Sequence, residues 1–136
     1  MVINALTALV LFAALTLLVM FVAVNYRVVK ILTGTKADSW TRGAQKNADP
    51  AWVTRLCHAH INCLESLPIF AVLVLVATVI GKAQIAEPLA AYVLYARVAQ
   101  VITHAIGVNH WLVLIRATFF TIQVVLFAIM FVRLLA

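Results

Sequence analysis

The chain is short of charge, and of acidic charge above all. Of its 136 residues 10% are charged, and only 4 are Asp or Glu against 10 Lys and Arg. A composition so poor in charge, 66% hydrophobic and with a mean hydropathy of +1.13, excludes a disordered chain and an ordinary water-soluble domain. Cysteine is scarce too. Cys57 and Cys63 are six residues apart. On one helix they would stand about 9 Å apart along the axis and on nearly opposite faces. An internal disulfide is therefore not expected, and the two thiols fix no redox compartment. Glycine and proline are few, and all of them except Pro68 fall between apolar segments, where they mark turns. Internal repeats and low-complexity tracts are lacking.

What the chain does have is long apolar runs. A transmembrane helix needs about 20 apolar residues, so four fit, with little left for a soluble domain. Met1 to Tyr26 carries no charged side chain. It lacks the basic start of a signal peptide and exceeds a typical signal core, so it reads as the first span. The pattern predicts helices over about 2–30, 51–80, 87–106 and 111–134, with a polar loop over about 31–50. Residues 1–136 thus read as a single all-α integral membrane domain, a bundle of four transmembrane helices. The second helix starts with polar turns, which project beyond the bilayer. Pro68 can kink it, and neighbouring helices can satisfy the carbonyl it frees.

Six of the ten basic residues (Arg27, Lys30, Lys36, Arg42, Lys46 and Arg55) lie between the first and second apolar segments. This clustering is a topology signal rather than a nucleic-acid surface. It places loop 31–50 in the cytoplasm and both termini on the opposite side. The 107–110 connection then faces the cytoplasm as well.

Charges also occur inside the apolar segments: Glu65, Arg97 and Arg116. A charge at mid-membrane costs about 2.5–3.5 kcal/mol on insertion scales and persists where it lines a cavity or meets a partner. Each has polar company at helical spacing. Arg55, His58, Asn62 and Glu65 share about one quarter of a helix circumference at about 100° per residue, with His60 off this stripe. Arg97, Gln100 and His104 repeat the pattern on the third helix, and Arg116, Phe120 and Gln123 on the fourth. Two readings stay open. The stripes either hydrogen-bond to one another, with Glu65 paired to Arg97 or Arg116, or they hold a polar ligand. Arginine binds carboxylates with a planar fork, glutamate receives an ammonium, and asparagine serves an amide. An arginine beside a thiol would favour its thiolate. Together these groups suit a small zwitterionic peptide and are compatible with glutathione. Cys57, His60 and Cys63, with His58, His104 and His110 near the same face, offer metal-ligand chemistry. Interfacial histidines and small apolar cysteines account for them more simply, and no metal is expected. Small four-helix drug exporters rely on a glutamate in their first helix, which this chain lacks.

Three segments carry a family resemblance. Arg55…Ala59-His60-Ile61-Asn62-Cys63-Leu64-Glu65…Pro68-Ile69-Phe70 is similar to R-x-x-R-A-x-x-N-x-x-E-x-x-P-x-F. Tyr95-Ala96-Arg97 with Gln100 and His104 is similar to A-R-x-x-[YH]-x-x-x-Y. Ile115-Arg116-Ala117 with Thr121 is similar to I-R-S-x-x-Y-T of the prostaglandin E synthase subgroup, which Lys36 to Gly43 loosely resembles as well. Over nearly its whole length the chain resembles the MAPEG family, the membrane-associated proteins in eicosanoid and glutathione metabolism.

The resemblance implies a four-helix subunit of a homotrimer, with glutathione as co-substrate between subunits near the cytoplasmic face. Arg116 matches the thiolate-stabilising, catalytic arginine. Asn62 and Glu65 match glutathione-binding positions, and Arg97 a structural or binding arginine. Arg55, His58, Gln100 and His104 complete the candidate binding set. The implied activity is a glutathione transferase or peroxidase acting on hydrophobic electrophiles from the bilayer. The chain departs from the pattern at several points. His58 replaces the second arginine of the helix-2 motif, Ser66 a tyrosine of some members, and Ala117 and Phe120 the synthase hydroxyls. Gln100 and His104 replace aromatic, histidine or tyrosine positions. These departures support the alternative, a non-catalytic lipid-binding or accessory subunit of the same fold. The simplified helix-2 motif favours a bacterial inner membrane over the endoplasmic reticulum.

Overall fold

The computed structural model describes residues 3–41 and 49–136. The expected helical start at residue 2 and the loop residues Arg42, Gly43 and Lys46 lie outside the described residues. Four long helices follow one another: α1 (Ala5–Leu32), α2 (Ala51–Val79), α3 (Glu87–Ile106) and α4 (His110–Leu135). All four are long and apolar enough to cross a membrane, and no strand occurs among the described residues. The protein is an all-α, multi-pass integral membrane protein in contact with the lipid bilayer.

Local chemistry sets the helix ends. Ile3 and Asn4 precede α1 because Asn4 is its cap, accepting from Thr7 N at 2.7 Å. A carboxylate 82 residues further along the chain joins it: Glu87 Oε2 accepts from Ala5 N at 3.1 Å. Free helix N–H groups attract anions, so the start of α3 is pinned to the start of α1. α1 stops where Gly34 adopts φ 102, and α2 stops before Gly81 at φ 72. Both angles lie in the left-handed region that glycine enters without penalty. Pro88 occupies the first turn of α3, where its missing N–H is not needed. Asn109 caps α4, accepting from Leu112 N at 2.8 Å. Pro68 lies within α2 without ending it.

α1 packs against α2 and α3, and α4 packs chiefly on α3, while α2 and α4 touch sparsely. Alanines at Ala5, Ala8, Ala77 and Ala90 are buried and let the backbones approach. The aromatic core is a row: Phe12 and Phe70 centroids are 5.6 Å apart, and Phe70 and Phe127 are 6.0 Å apart. α3 is the central helix, whereas α4 buries only Gln123, Phe127 and Met130. The remaining surface of α1, α2 and α4 is largely exposed Leu, Val, Ile and Phe, as a lipid-facing surface requires.

Two short 3₁₀ turns, Ala37–Trp40 and Ala83–Ile85, fall in the connections. The first is tied down by Asp49. Its Oδ1 accepts from Trp40 Nε1 at 2.9 Å, and its Oδ2 accepts from Arg27 Nη2 at 2.8 Å and Nε at 3.2 Å. This clasp joins the end of α1, the loop and the entry to α2.

Candidate functional site

Because successive helices run in opposite directions, the first half of α2, the last half of α3 and the first half of α4 meet at one end of the bundle. That end also carries the basic loop. There the sparse contact between α2 and α4 leaves an open cleft of about 700 Å³. His58, Asn62 and Glu65 of α2 form one wall. Gln100 and His104 of α3 form the back, and Arg116 of α4 faces them across the cleft, with Val113, Ala117 and Phe120 as its apolar neighbours. Spacings of three and four residues keep each set on one helix face.

The back wall is ordered by hydrogen bonds. Asn62 Nδ2 lies 3.5 Å from His104 Nδ1, a contact that ties the α2 wall to the back of the cleft. The His58 and His104 rings lie 6.2 Å apart. Beneath the cleft Gln123, fully buried, donates from Nε2 to Gln100 Oε1 and to Phe119 O, both at 3.2 Å. Gln123 is thus a floor residue, and its bond to Gln100 fixes which amide end Gln100 can offer a ligand.

The charged groups in the cleft are not paired with each other. The only ion pair among the described residues is Arg27–Asp49. Neither Arg116 nor Glu65 is in a salt bridge among the described residues, so of the two open readings the one that pairs Glu65 with Arg97 or Arg116 is not what this structure shows. Glu65 is exposed to the cleft and Arg116 is half-buried.

Two candidate site residues lie elsewhere. Arg97 does not line the cleft. It sits deeper in the bundle at 0% exposure, donates from Nη2 to Ser66 Oγ, and lies 5.2 Å from the centre of the Phe12 ring. Its Nε and Nη1 have no partner among the described residues. Spacing placed it on the stripe of Gln100 and His104, but it lies one turn nearer mid-membrane, where α1 and α2 close over it. Arg55 does not line the cleft either. Its Nε donates to Ala105 O at 3.1 Å, satisfying a free carbonyl at the end of α3. Both arginines hold helices together. His60, off the polar stripe, reaches α1, where its Nδ1 meets Thr16 O at 3.2 Å. Spacing did not single out Ser66 as Arg97's partner, and it gave no signal for Val108 and Val113 in the cleft, since apolar side chains are everywhere in this chain.

The fold and the site define a polytopic membrane protein with a polar, charge-bearing cleft at one end of a four-helix bundle. The family model described as MAPEG family matches residues 5–136, essentially the whole chain. The chain belongs to the MAPEG family, whose membership points to membrane proteins of glutathione or eicosanoid metabolism. No curated protein and no solved structure matches it.

Proposed function

We propose that the protein is a membrane-bound glutathione transferase or peroxidase, conjugating or reducing hydrophobic electrophiles. The observation that carries this reading is the cleft's pair of opposite charges, Arg116 and Glu65, neither salt-bridged, on facing walls of one cavity. Free opposite charges in one cleft at a membrane are costly unless a ligand answers both, and a zwitterionic thiol peptide does so. Glu65 receives the peptide's ammonium, Asn62 serves an amide, and His58 hydrogen-bonds a carboxylate. Arg116 holds the thiolate and stabilises charge as it shifts from sulfur to the electrophile. The electrophile lies against Val113, Ala117 and Phe120, on the side where the cleft opens between α2 and α4. The working unit is a homotrimer, and the basic loop lies in the cytoplasm, at the inner membrane of a bacterium.

The apolar α4 wall supports a second reading. Ala117 and Phe120 present no hydroxyl to the cleft, which suits a lipid-binding accessory subunit. Mixing glutathione with the detergent-purified protein separates the two. The enzyme shows an ultraviolet thiolate band, thermal stabilisation and turnover of a chlorodinitrobenzene-type substrate. In Arg116→Ala the band vanishes and kcat falls by about 10²–10³. Absence of band, stabilisation and turnover in the wild type overturns the enzyme reading in favour of the accessory one.

A further inference from the structure

A second groove opens between α1 and α2, away from the cleft. Its volume is about 400 Å³. Met20, Ala23, Val24 and Ile61 line it with hydrocarbon, and Arg27, Cys57 and His60 stand at its polar end. Cys57 is a free, half-buried thiol. Cys57 and His60 are three residues apart on α2, which makes them neighbours on one helix face. The Thr16 carbonyl can only accept, so the 3.2 Å contact with His60 Nδ1 places the proton on Nδ1 and leaves Nε2 as a free base. Arg27 Nη2 donates to Cys57 Sγ at 3.5 Å while Asp49 holds the same guanidinium in place. A nucleophile, a base one helical turn away and a donor at the sulfur thus share one groove, and the Thr16 carbonyl on α1 orients the base.

We propose that Cys57 is a nucleophilic modification site, served by His60, for long-chain α,β-unsaturated carbonyl compounds. The hydrocarbon tail lies along Met20, Val24 and Ile61, and the conjugated carbonyl meets the thiol at the polar end. His60 Nε2 takes the Sγ proton as the sulfur pair forms a C–S bond to the β-carbon. The C=C π pair moves onto the carbonyl as an enolate, which regains the proton from His60. Nothing leaves, and no co-reactant is needed. The site is independent of the glutathione cleft.

The test uses the full chain in lipid nanodiscs with trans-2-nonenal or propenal, borohydride trapping and peptide mass mapping. Of the two cysteines, Cys57 is expected to carry the adduct and Cys63, which is fully buried, none. Cys57→Ser abolishes it. His60→Gln slows addition of both aldehydes by about tenfold or more, the lower part of the range for general-base assistance. Val24→Trp, at an exposed position that fills the groove, slows nonenal by about fivefold and leaves propenal unchanged. An adduct on Cys57 that forms as fast in His60→Gln overturns the proposal, and so does a Val24→Trp variant that treats both aldehydes alike.

Discussion

Arg97 offers the sharpest test of how this bundle carries charge. Its guanidinium is wholly buried, donates to Ser66 Oγ and leaves Nε and Nη1 unpartnered among the described residues. Consider Ser66→Ala first. It removes the acceptor of a charged donor, and such a bond is worth about 1.5–3 kcal/mol. Now consider Arg97→Met, which keeps the stem and deletes the charge. It forfeits that bond and a cation–π contact with Phe12 worth about 0.5–2 kcal/mol. It also relieves about 2.5–3.5 kcal/mol of burying an arginine in the membrane. Ser66 Oγ keeps its bond to Asn62 O at 3.3 Å, so no new orphan appears. The opposing terms nearly cancel, and Arg97→Met should stay within about 2 kcal/mol of wild type, as buried ions replaced by hydrophobes often do. In the Arg97→Met background Ser66→Ala should cost less than about 0.5 kcal/mol, because the bond it breaks is already gone. The assay is equilibrium unfolding of the four proteins of the cycle in one detergent. A loss above about 4 kcal/mol in Arg97→Met would refute the reasoning, since it would mean that the guanidinium has a strong counter-ion. A harmless Ser66→Ala in the wild-type background would refute the contact itself.

Three further outcomes follow from other contacts. Asp49→Asn breaks the clasp on Arg27 while keeping a carbonyl for Trp40; it should cost about 1 kcal/mol, discounted for the partly exposed Arg27, and shift the Trp40 fluorescence towards the red. An unchanged spectrum would contradict the clasp. Glu87→Gln weakens the negative group at the start of α1 and should cost about 0.3–1 kcal/mol, with faster hydrogen exchange at Ala5; exchange confined to α3 would contradict the cross-chain cap. On the proposed glutathione reading, His58→Arg supplies a permanent charge and a longer fork in the cleft and should tighten glutathione binding by about tenfold, roughly one charge-assisted bond. Weaker binding by titration calorimetry would count against His58 as the carboxylate partner.

The sequence by itself determined the class of the molecule. Hydrocarbon leaves no solvent for backbone polar groups, so four apolar runs of about 20 residues or more read as helices, and the glycines and prolines between them mark the turns; the Asn4 and Asn109 caps came from the structure. Helical spacing also told which polar residues share a face, so Arg55, His58, Asn62 and Glu65 were legible as one stripe and Arg97, Gln100 and His104 as another, although Arg55 and Arg97 do not line the cleft. Depth along the axis and the identity of the neighbour were not legible, because a stripe repeats every turn and says nothing of what packs against it. Only the tertiary structure decided that Arg97 is closed in by Phe12 and Ser66, that Arg55 ends α3 through Ala105, and that Gln123 lies under the cleft. It likewise decided that Glu87 reaches Ala5, 82 residues away. Periodicity orients a side chain around its own helix; whether it meets a cavity, a carbonyl or another ring depends on how the helices pack, which no single helix encodes.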